Sequence, residues 1–515
     1  MIIIYHDKNK IKNVISSNNL EITFKKDNSI IEVIQGISIQ YPSEKIAWCN
    51  QFLHTKINLD FIKNQKINNN TIKTYNPFET NYLTNAIGYV ENSPFININK
   101  KITYPTWQMS SHVGFANAAL FLDIKNKIKN NKNFDYYINS ISKIYQPLGL
   151  FCYSEPQLLL DVKNIVDLKN INASNFKIFK FIKQHNKSKW VFLLFIDYVV
   201  FNKKFPFLAL LNSLFFKQIK ISKYEIPKTK DDINTIYTDS IDVLIPTIGR
   251  KKYLYDVLCD LKNQTYLPKN VIIVEQNAIK NSSSELDYIL TEPWPFQIKH
   301  FFTNTLGACN ARNIALDKIE SDWIFFADDD IRFDANFLNQ CLHNCKVNNI
   351  KAATLASLKQ GEQIPNINPS QWESFGTCSS FVLSSVVKKI RFDLGFEFGY
   401  SEDIDFGKKI RNQGADISFL PFPRILHLKA PIGGFRTKFV FDWEKDEIQP
   451  KPSPTVMLYK ILHCTDEEIN GFKTVLFFKF YKKQNIKNPI KYFNYFNKQW
   501  NQSIKWAKEL KNKSQ

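Results

Sequence analysis

Long apolar runs are scarce in this 515-residue chain. The two longest, 190–201 and 205–216, hold about twelve residues each, well short of the ~20 that a spanning helix needs. Asn202-Lys203-Lys204 separates them. They read as two core helices, with a monotopic hairpin or interfacial helix between basic flanks as the alternative. Cysteine is sparse too: Cys49, Cys152, Cys259, Cys309, Cys341, Cys345, Cys378 and Cys464 are scattered along the chain. That pattern excludes a small disulfide scaffold and suits a reducing compartment. Cys341, His343 and Cys345 fall on one helical turn, yet no second ligand pair lies at zinc spacing nearby, which argues against a metal site there. Acidic residues are outnumbered, 48 against 68 basic, giving a net charge of +20 and a pI near 9.3. The excess favours anionic partners such as nucleotides, acidic glycans or a membrane surface. Nucleic acid is set aside, because zinc-finger spacing, an RNA-binding aromatic signature and a basic helix-turn-helix pattern are all missing. Glycine (15 residues) and alanine are few while Asn, Lys and Ile abound, a bias of base composition more than of mechanism.

What the chain does contain is enough for large cores: 44% hydrophobic and 14% aromatic residues. Its length suits two or three domains. The opening Met1-Ile2-Ile3-Ile4-Tyr5-His6-Asp7-Lys8 has too short an apolar run for a signal peptide and reads as a first strand. A cytoplasmic protein is expected, with peripheral contact on the inner face of the cell membrane as an option. Residues 1–230 mix strand and helix patterns with Asn-rich turns such as Asn68-Asn69-Asn70. Within them Ser110-Ser111-His112 matches a nucleophile set by composition only, and ordinary loop polarity is the better reading. No aspartate pair follows a strand in this half, so no second active site is expected there. Lys228-Thr229-Lys230-Asp231-Asp232 reads as an interdomain linker.

From Asp239 the pattern is legible. Ile241 to Ile245 reads as a strand ending at Pro246-Thr247-Ile248-Gly249-Arg250. A helix follows with Leu254, Val257, Leu258 and Leu261 on one face. Val271-Ile272-Ile273-Val274 is a second strand, ending at Glu275. A helix over 307–319 precedes the run Trp323-Ile324-Phe325-Phe326-Ala327, which stops at Asp328, Asp329 and Asp330. Strands alternating with helices imply a largely parallel α/β sheet, whose ligands bind outside the carboxyl ends of the strands. Three adjacent carboxylates cannot all be buried unpaired. They form either a solvated acidic turn or a site for a hard divalent cation. Pro246-Thr247, Glu275 and the aspartates gathering on one sheet edge favour the second reading.

These motifs, in this order, resemble the family 2 glycosyltransferases of GT-A fold over roughly residues 239–435. The resemblance rests on Val243-Leu244-Ile245-Pro246-Thr247-Ile248-Gly249-Arg250, on Gln264-Thr265-Tyr266 before the second strand, and on Gly307 with Ala311-Arg312-Asn313. Asp328-Asp329-Asp330 matches the family's aspartate-any-aspartate signature, and Phe392-Asp393 with Glu402-Asp403-Ile404-Asp405 its later acidic segment. It implies a GT-A-type nucleotide-diphospho-sugar transferase fold at 236–440. Around it are expected a separate N-terminal domain at 1–230, read as a second, degenerate α/β domain for acceptor binding or assembly, and a helical, basic, aromatic-rich extension at 441–515. It further implies Mn²⁺ or Mg²⁺ held by Asp328, Asp330 and His427. The nucleotide-diphospho-sugar would contact Pro246, Thr247, Arg250, Glu275, Arg312, Asn313, Asp328 and Asp329. Asp403 would be the general base, tuned by Glu402, giving transfer with inversion to a glycan, lipid-linked or protein acceptor. Glu275 stands where the family usually has Asp, which shifts its carboxylate by about a bond length. The simpler readings are that Glu402, Asp403 and Asp405 cap a helix and that His427 is a buried structural residue. Gly433-Gly434-Phe435-Arg436 reads as a lid over the donor. The lysine- and aromatic-rich tail after about residue 470 suits an anionic membrane or a helix packing its aromatics while lysines stay solvated. Two rival functions are a nucleotidyltransferase and a non-catalytic nucleotide- or glycan-binding scaffold.

Overall fold

The computed structural model describes residues 1–18, 20–25, 28–124, 132–162, 168–220, 237–364, 368–430 and 439–513. The linker expected at 228–232 and the lid expected at 433–436 lie outside the described residues. Two compact units emerge: Met1–Lys228 with Cys464–Phe480, and Thr229–His463 with Tyr481–Gln515. The last 75 residues of the sequence are therefore shared between the units.

The first unit is built on a seven-stranded mixed sheet. Its order is Lys10–Ser16, Ile2–Asp7, Lys45–Asn50, Val113–Asn117, Thr71–Tyr75, Phe151–Ser154 and Tyr104–Pro105. Ile2, Ile3 and Ile4 are all buried, as a β-branched run at a sheet centre should be. The helix Ile30–Gln40 starts at Ser29, whose hydroxyl accepts from Glu32 N while the Glu32 carboxylate accepts from Ser29 N. The two apolar stretches form the helices Lys189–Val200 and Phe207–Leu214. They bury Val191, Leu194, Tyr198, Ala209 and Leu210. Expected as core helices, they are buried along one stripe only: Phe192, Val200 and Leu208 are 47%, 46% and 70% exposed. A helix that is apolar all round has more hydrophobic surface than one neighbour can cover. Helix Asp466–Tyr481 adds to this unit, with Thr474 Oγ1 donating to the buried Asp197 carboxylate at 2.5 Å.

The second unit has a nine-stranded sheet. Its path runs Gln297–Thr303, Asn270–Gln276, Ile241–Ile248, Trp323–Ala327, Ser379–Leu383, Ala352–Leu358, Ile417–His427 and Ile331–Arg332, with Ser370–Gln371 also pairing Ile417–His427. The first four strands are mutually parallel, so their carboxyl ends share one edge. Every residue of Asn270–Gln276 and of Trp323–Ala327 is buried, since helices cover both faces of a parallel sheet. Leu254, Val257, Leu258 and Leu261 form the buried face of helix Lys251–Lys262, as their spacing predicts. The final helix, Pro489–Lys513, packs on Pro454–His463 and buries Tyr492, Phe496 and Trp500. Those tail aromatics serve packing, and Trp506 Nε1 donates to Asp446 at 2.5 Å.

Candidate active site

The strand Trp323–Ala327 ends at the sheet edge and the three aspartates follow, each in a different environment. Asp328 keeps 27% of its side chain exposed, whereas Asp329 and Asp330 keep 1% and 2%. Asp329 turns inward. It accepts a hydrogen bond from Thr247 Oγ1 at 2.7 Å and forms an ion pair with Arg250. Arg250 Nη1 also lies 3.8 Å from Asp328 and 3.6 Å from Asp330, so one guanidinium offsets three carboxylates. Burial, with Asp328 beside it, pushes the Asp329 carboxyl up to about 7, against the pull of Arg250 and Thr247.

Asp330 is held differently. Its Oδ2 accepts from Ala430 N at 2.7 Å, its carbonyl accepts from Leu428 N at 2.9 Å, and its Oδ1 lies 3.2 Å from His427 Nε2. His427 is placed there because it ends the strand Ile417–His427, paired with Ile331 just past the aspartates. Burial raises the Asp330 carboxyl, but His427, the Ala430 amide and Arg250 together hold it below its ordinary value. Asp330 raises the His427 imidazole in turn. Ligand atoms of Asp328, Asp330 and His427 all lie within 4.8 Å of one another. The buried Asp330 Oδ1 has no well-directed hydrogen bond among the described residues. Two carboxylates and an imidazole converging around such an oxygen fit a divalent cation of the Mn²⁺ or Mg²⁺ type.

The acid pair sits at the start of helix Glu402–Asn412, after Ser401 in a left-handed conformation (φ 84°). Burial raises both carboxyls, Glu402 further through Asp403 beside it, while Arg312 opposes the rise at each. Asp403 Oδ1 accepts from Ile404 N at 2.8 Å. Burial pushes the Cys378 thiol up to about 12, helped by the charges of Asp328 and Asp330 from one acidic cluster and of Asp403 from the other. Arg312, 8% exposed, lies 5.6 Å above the Phe392 ring, and its Nε and Nη1 have no hydrogen-bond partner among the described residues.

Residues 242–402 match the family described as Glycosyl transferase family 2. This segment is a family 2 glycosyl transferase domain. No curated protein matches the chain. Among solved structures, S. aureus TarS is 18% identical, with 46% of this chain covering 42% of that one at a TM-score of 0.32. The chain thus spans less than half of that TarS chain. TarS 1–349 in complex with UDP-GlcNAc is 17% identical, covering 50% of this chain and 79% of that one at 0.34. GalNAc-T7 with UDP, GalNAc and Mn²⁺ is 13% identical, covering 37% and 44% at 0.31.

In the transferase domain Pro246 and Thr247 close the strand Ile241–Ile248, opposite Val274 and Glu275. Glu275 accepts from Glu285 N at 3.1 Å and lies 2.9 Å from His300 Nε2. Its burial works against those partners, which prevail and hold its carboxyl below the ordinary value. Asn313 is committed elsewhere: its amide donates to Phe392 O at 2.9 Å and accepts from Phe392 N at 2.8 Å. Asp405 bonds His463 at 2.6 Å and Lys409 at 2.7 Å. Sequence reasoning missed Glu397, whose carboxylate accepts from Cys309 N and Asn310 N at 3.0 and 2.8 Å and so caps helix Ala308–Leu316. Gly307 (φ 136°) permits this, since a Cβ there would overlap the Glu397 carboxylate. Cys378 and His300 were also missed; neither has a local sequence signal, because their partners are distant in the chain. Cys341 and Cys345 are fully buried in the core, and His343 Nδ1 meets Tyr237 OH at 2.9 Å.

Proposed function

We propose that the protein is an inverting glycosyltransferase. It moves a sugar from a nucleotide-diphospho-sugar to a hydroxyl of a surface polysaccharide, lipid-linked glycan or protein glycan. The observation that carries this reading is the cation-type triad of Asp328, Asp330 and His427 at the carboxyl edge of the sheet, with the partly buried acid Asp403 acting on the same Cys378 thiol as the two aspartates. A nucleotidyltransferase would need the triad but gives no task to Glu402 and Asp403, and a binding scaffold needs neither acid.

Asp328, Asp330 and His427 would hold Mn²⁺ or Mg²⁺, which when bound neutralises diphosphate charge. Glu275, at the end of its strand, and the unpartnered N–H groups of Arg312 are the strongest direct contacts for the nucleotide and diphosphate. Pro246, Thr247, Arg250 and Asp329 shape the loop that carries them, with Asp328 toward the diphosphate and Asn313 fixing the Phe392 backbone. Asp403 removes the proton from the acceptor hydroxyl as that oxygen attacks the anomeric carbon. The bond from that carbon to the diphosphate oxygen breaks on the opposite face, so configuration inverts and the nucleoside diphosphate leaves with the bonding pair. Burial makes Asp403 a stronger base than an exposed aspartate, and Glu402 beside it adjusts that strength.

Thermal unfolding with UDP, GDP, CDP and TDP, each with and without Mn²⁺, tests this on wild type and Asp330→Asn. A nucleotide at a hundred times its Kd adds about 2.7 kcal/mol of stability. One nucleotide stabilising only with metal, and not in the variant, is expected. No stabilisation by any of them, with the variant folded, refutes the donor-site reading.

A peripheral contact with an anionic bilayer surface belongs to the same proposal. No helix among the described residues is long and apolar enough to cross a membrane. The helices Lys189–Val200 and Phe207–Leu214 nevertheless expose Phe192, Val200, Leu208 and Leu211, and the flanking Phe205 and Phe215 are exposed too, with Lys203, Lys204, Lys217 and Lys220 nearby in sequence. Apolar side chains rimmed by lysines suit insertion among anionic headgroups. Cosedimentation with phosphatidylglycerol vesicles, lost with phosphatidylcholine vesicles, at high salt or in Leu208→Asp, is the expected result. Concentration-dependent self-association without vesicle binding would assign the patch to a second copy instead.

A further inference from the structure

The two units carry the same strand plan. In the first, the series Ile2–Asp7, Lys45–Asn50, Val113–Asn117, Thr71–Tyr75, Phe151–Ser154 is joined parallel, antiparallel, antiparallel, parallel. In the second, Ile241–Ile248, Trp323–Ala327, Ser379–Leu383, Ala352–Leu358, Ile417–His427 is joined in the same way. Chain order along both series is first, second, fourth, third, fifth. A two-residue strand, Tyr104–Pro105 in one and Ser370–Gln371 in the other, lies antiparallel to the last strand of each.

Register agrees as well as topology. Cys49 faces Val113 as Ala327 faces Ser379. Thr74 faces Gly114 and Ser154, as Thr354 faces Ser380 and Phe419. In this alignment 104–117 falls on 370–383 without a gap. Three hydrogen bonds outside the ladders then coincide. Ser110 N donates to Thr74 Oγ1 at 3.1 Å, and Gly376 N to Thr354 Oγ1 at 3.1 Å. Thr106 N donates to Cys152 O, and Trp372 N to Ile417 O. Ala118 N donates to Glu44 O, and Ser384 N to Asp322 O. A left-handed glycine, Gly149 or Gly414, precedes the last strand in each. Helices Phe134–Tyr145 and Glu402–Asn412 lead into that glycine, and each has an aspartate, Asp135 or Asp403, as its second residue.

The differences show what the first unit has given up. The strands Asn270–Gln276 and Gln297–Thr303, which carry Glu275 and His300, have no counterpart among the described residues; the hairpin strand Lys10–Ser16 occupies that side. Asn50, Gln51 and Phe52 stand at the positions of Asp328, Asp329 and Asp330. The acid-bearing side is kept. Asp135 accepts from Ser111 N at 3.0 Å. His112, at the position of Cys378, is 3% exposed with its Nδ1 lacking a hydrogen-bond partner among the described residues. Its ring lies 5.3 Å from Phe78, and Phe52 is 43% exposed on the same edge. Aromatic faces beside amide, imidazole and carboxylate groups are the chemistry that holds a sugar ring.

We infer that residues 1–228 are a second transferase core, stripped of its nucleotide-binding strands and metal carboxylates, which binds a saccharide at the carboxyl ends of its strands without nucleotide or metal. The inference rests on the transferase reading of the second unit only for what the retained edge does.

The protein, wild type and Asp330→Asn, is titrated with UDP, GDP, CDP and TDP, each plus Mn²⁺. It is then probed by amide hydrogen exchange with methyl glycosides of glucose, galactose, mannose, N-acetylglucosamine and N-acetylgalactosamine. One nucleotide per chain is expected for whichever of the four binds, lost in Asp330→Asn. At least one glycoside should slow exchange at 50–54 and 106–112 equally in both proteins without metal, with that protection lost in Phe52→Ala. Phe52 is exposed, so its truncation leaves the fold intact. Two nucleotides per chain, protection that requires Mn²⁺ or Asp330, or no protection by any glycoside overturns the inference. Protection of the first unit without binding of any of the four nucleotides would instead sink the donor-site reading alone.

Discussion

Replacing Asp135 by Asn should make the first unit more stable at neutral pH than at acid pH, relative to wild type. Asp135 is 6% exposed, and burial pushes its carboxyl up to about 6 despite the hydrogen bond from Ser111. The ordinary value is 3.8, so the folded state holds the proton more tightly than the unfolded chain. Stability therefore falls as pH rises between those two values, and the loss is complete above the upper one. At about 1.36 kcal/mol per pH unit, that rise costs about 3 kcal/mol. Asn keeps the Oδ1 acceptor for Ser111 N and cannot ionise. Any cost of its new N–H₂ group, about 1–3 kcal/mol if unpaired, is the same at every pH. The readout is amide exchange in helix Phe134–Tyr145, corrected for intrinsic rates, because it reports this unit alone. Going from about pH 4 to about pH 7.5, protection in the variant should gain roughly 100-fold on wild type. A ratio that stays flat across that range would refute the burial argument.

Asp403→Asn should leave nucleotide-dependent stabilisation intact while transfer falls by about 10²–10⁴-fold, measured as product formation under saturating donor. Because burial raises the Asp403 carboxyl, the acid limb of the wild-type rate profile should lie above the ordinary aspartate value, with activity rising as the base loses its proton. Arg250→Ala strands three carboxylates around a buried ion-pair site and should destabilise the metal-free protein by about 3–5 kcal/mol in chemical denaturation. Mn²⁺ should restore part of that loss, which a purely structural arginine would not show. Asn313→Ala removes both hydrogen bonds to the Phe392 backbone and should cost about 1–3 kcal/mol; calorimetry should find nucleotide affinity changed less than stability.

The transferase half was legible because its strands are short apolar runs and its chemistry sits where they stop. Val271 to Val274 and Trp323 to Ala327 announce themselves as buried strands, and charged or polar residues mark their carboxyl ends. The partition of labour among the aspartates was not legible. Adjacent residues on a turn point in different directions, and only Thr247 and Arg250, some 80 residues away, decide that Asp329 faces inward. Cys378, His300 and Glu397 were invisible for the same reason. Helices Lys189–Val200 and Phe207–Leu214 were readable as elements, but hydropathy alone cannot say which apolar face lacks a partner.

The first unit was expected as a degenerate α/β domain, but its strand plan and register escaped sequence reading for a more general reason. Across 104–117 and 370–383 the only identical pair is Phe115 and Phe381. Strand register needs side chains of the right polarity on alternate faces, a demand that many residues meet. Backbone-to-backbone bonds such as Ala118 N to Glu44 O place no demand on side-chain identity. A fold held by such terms can keep its geometry while its residues drift, whereas cation binding fails on the first loss of a carboxylate. Asn50 and Phe52 at the aspartate positions show that chemistry gone from a frame that persists. Thr74 and Thr354 are the exception that supports the rule. Each hydroxyl accepts a backbone N–H inside the protein, where an unpaired donor would be costly, so the residue was retained with the frame and not with the reaction.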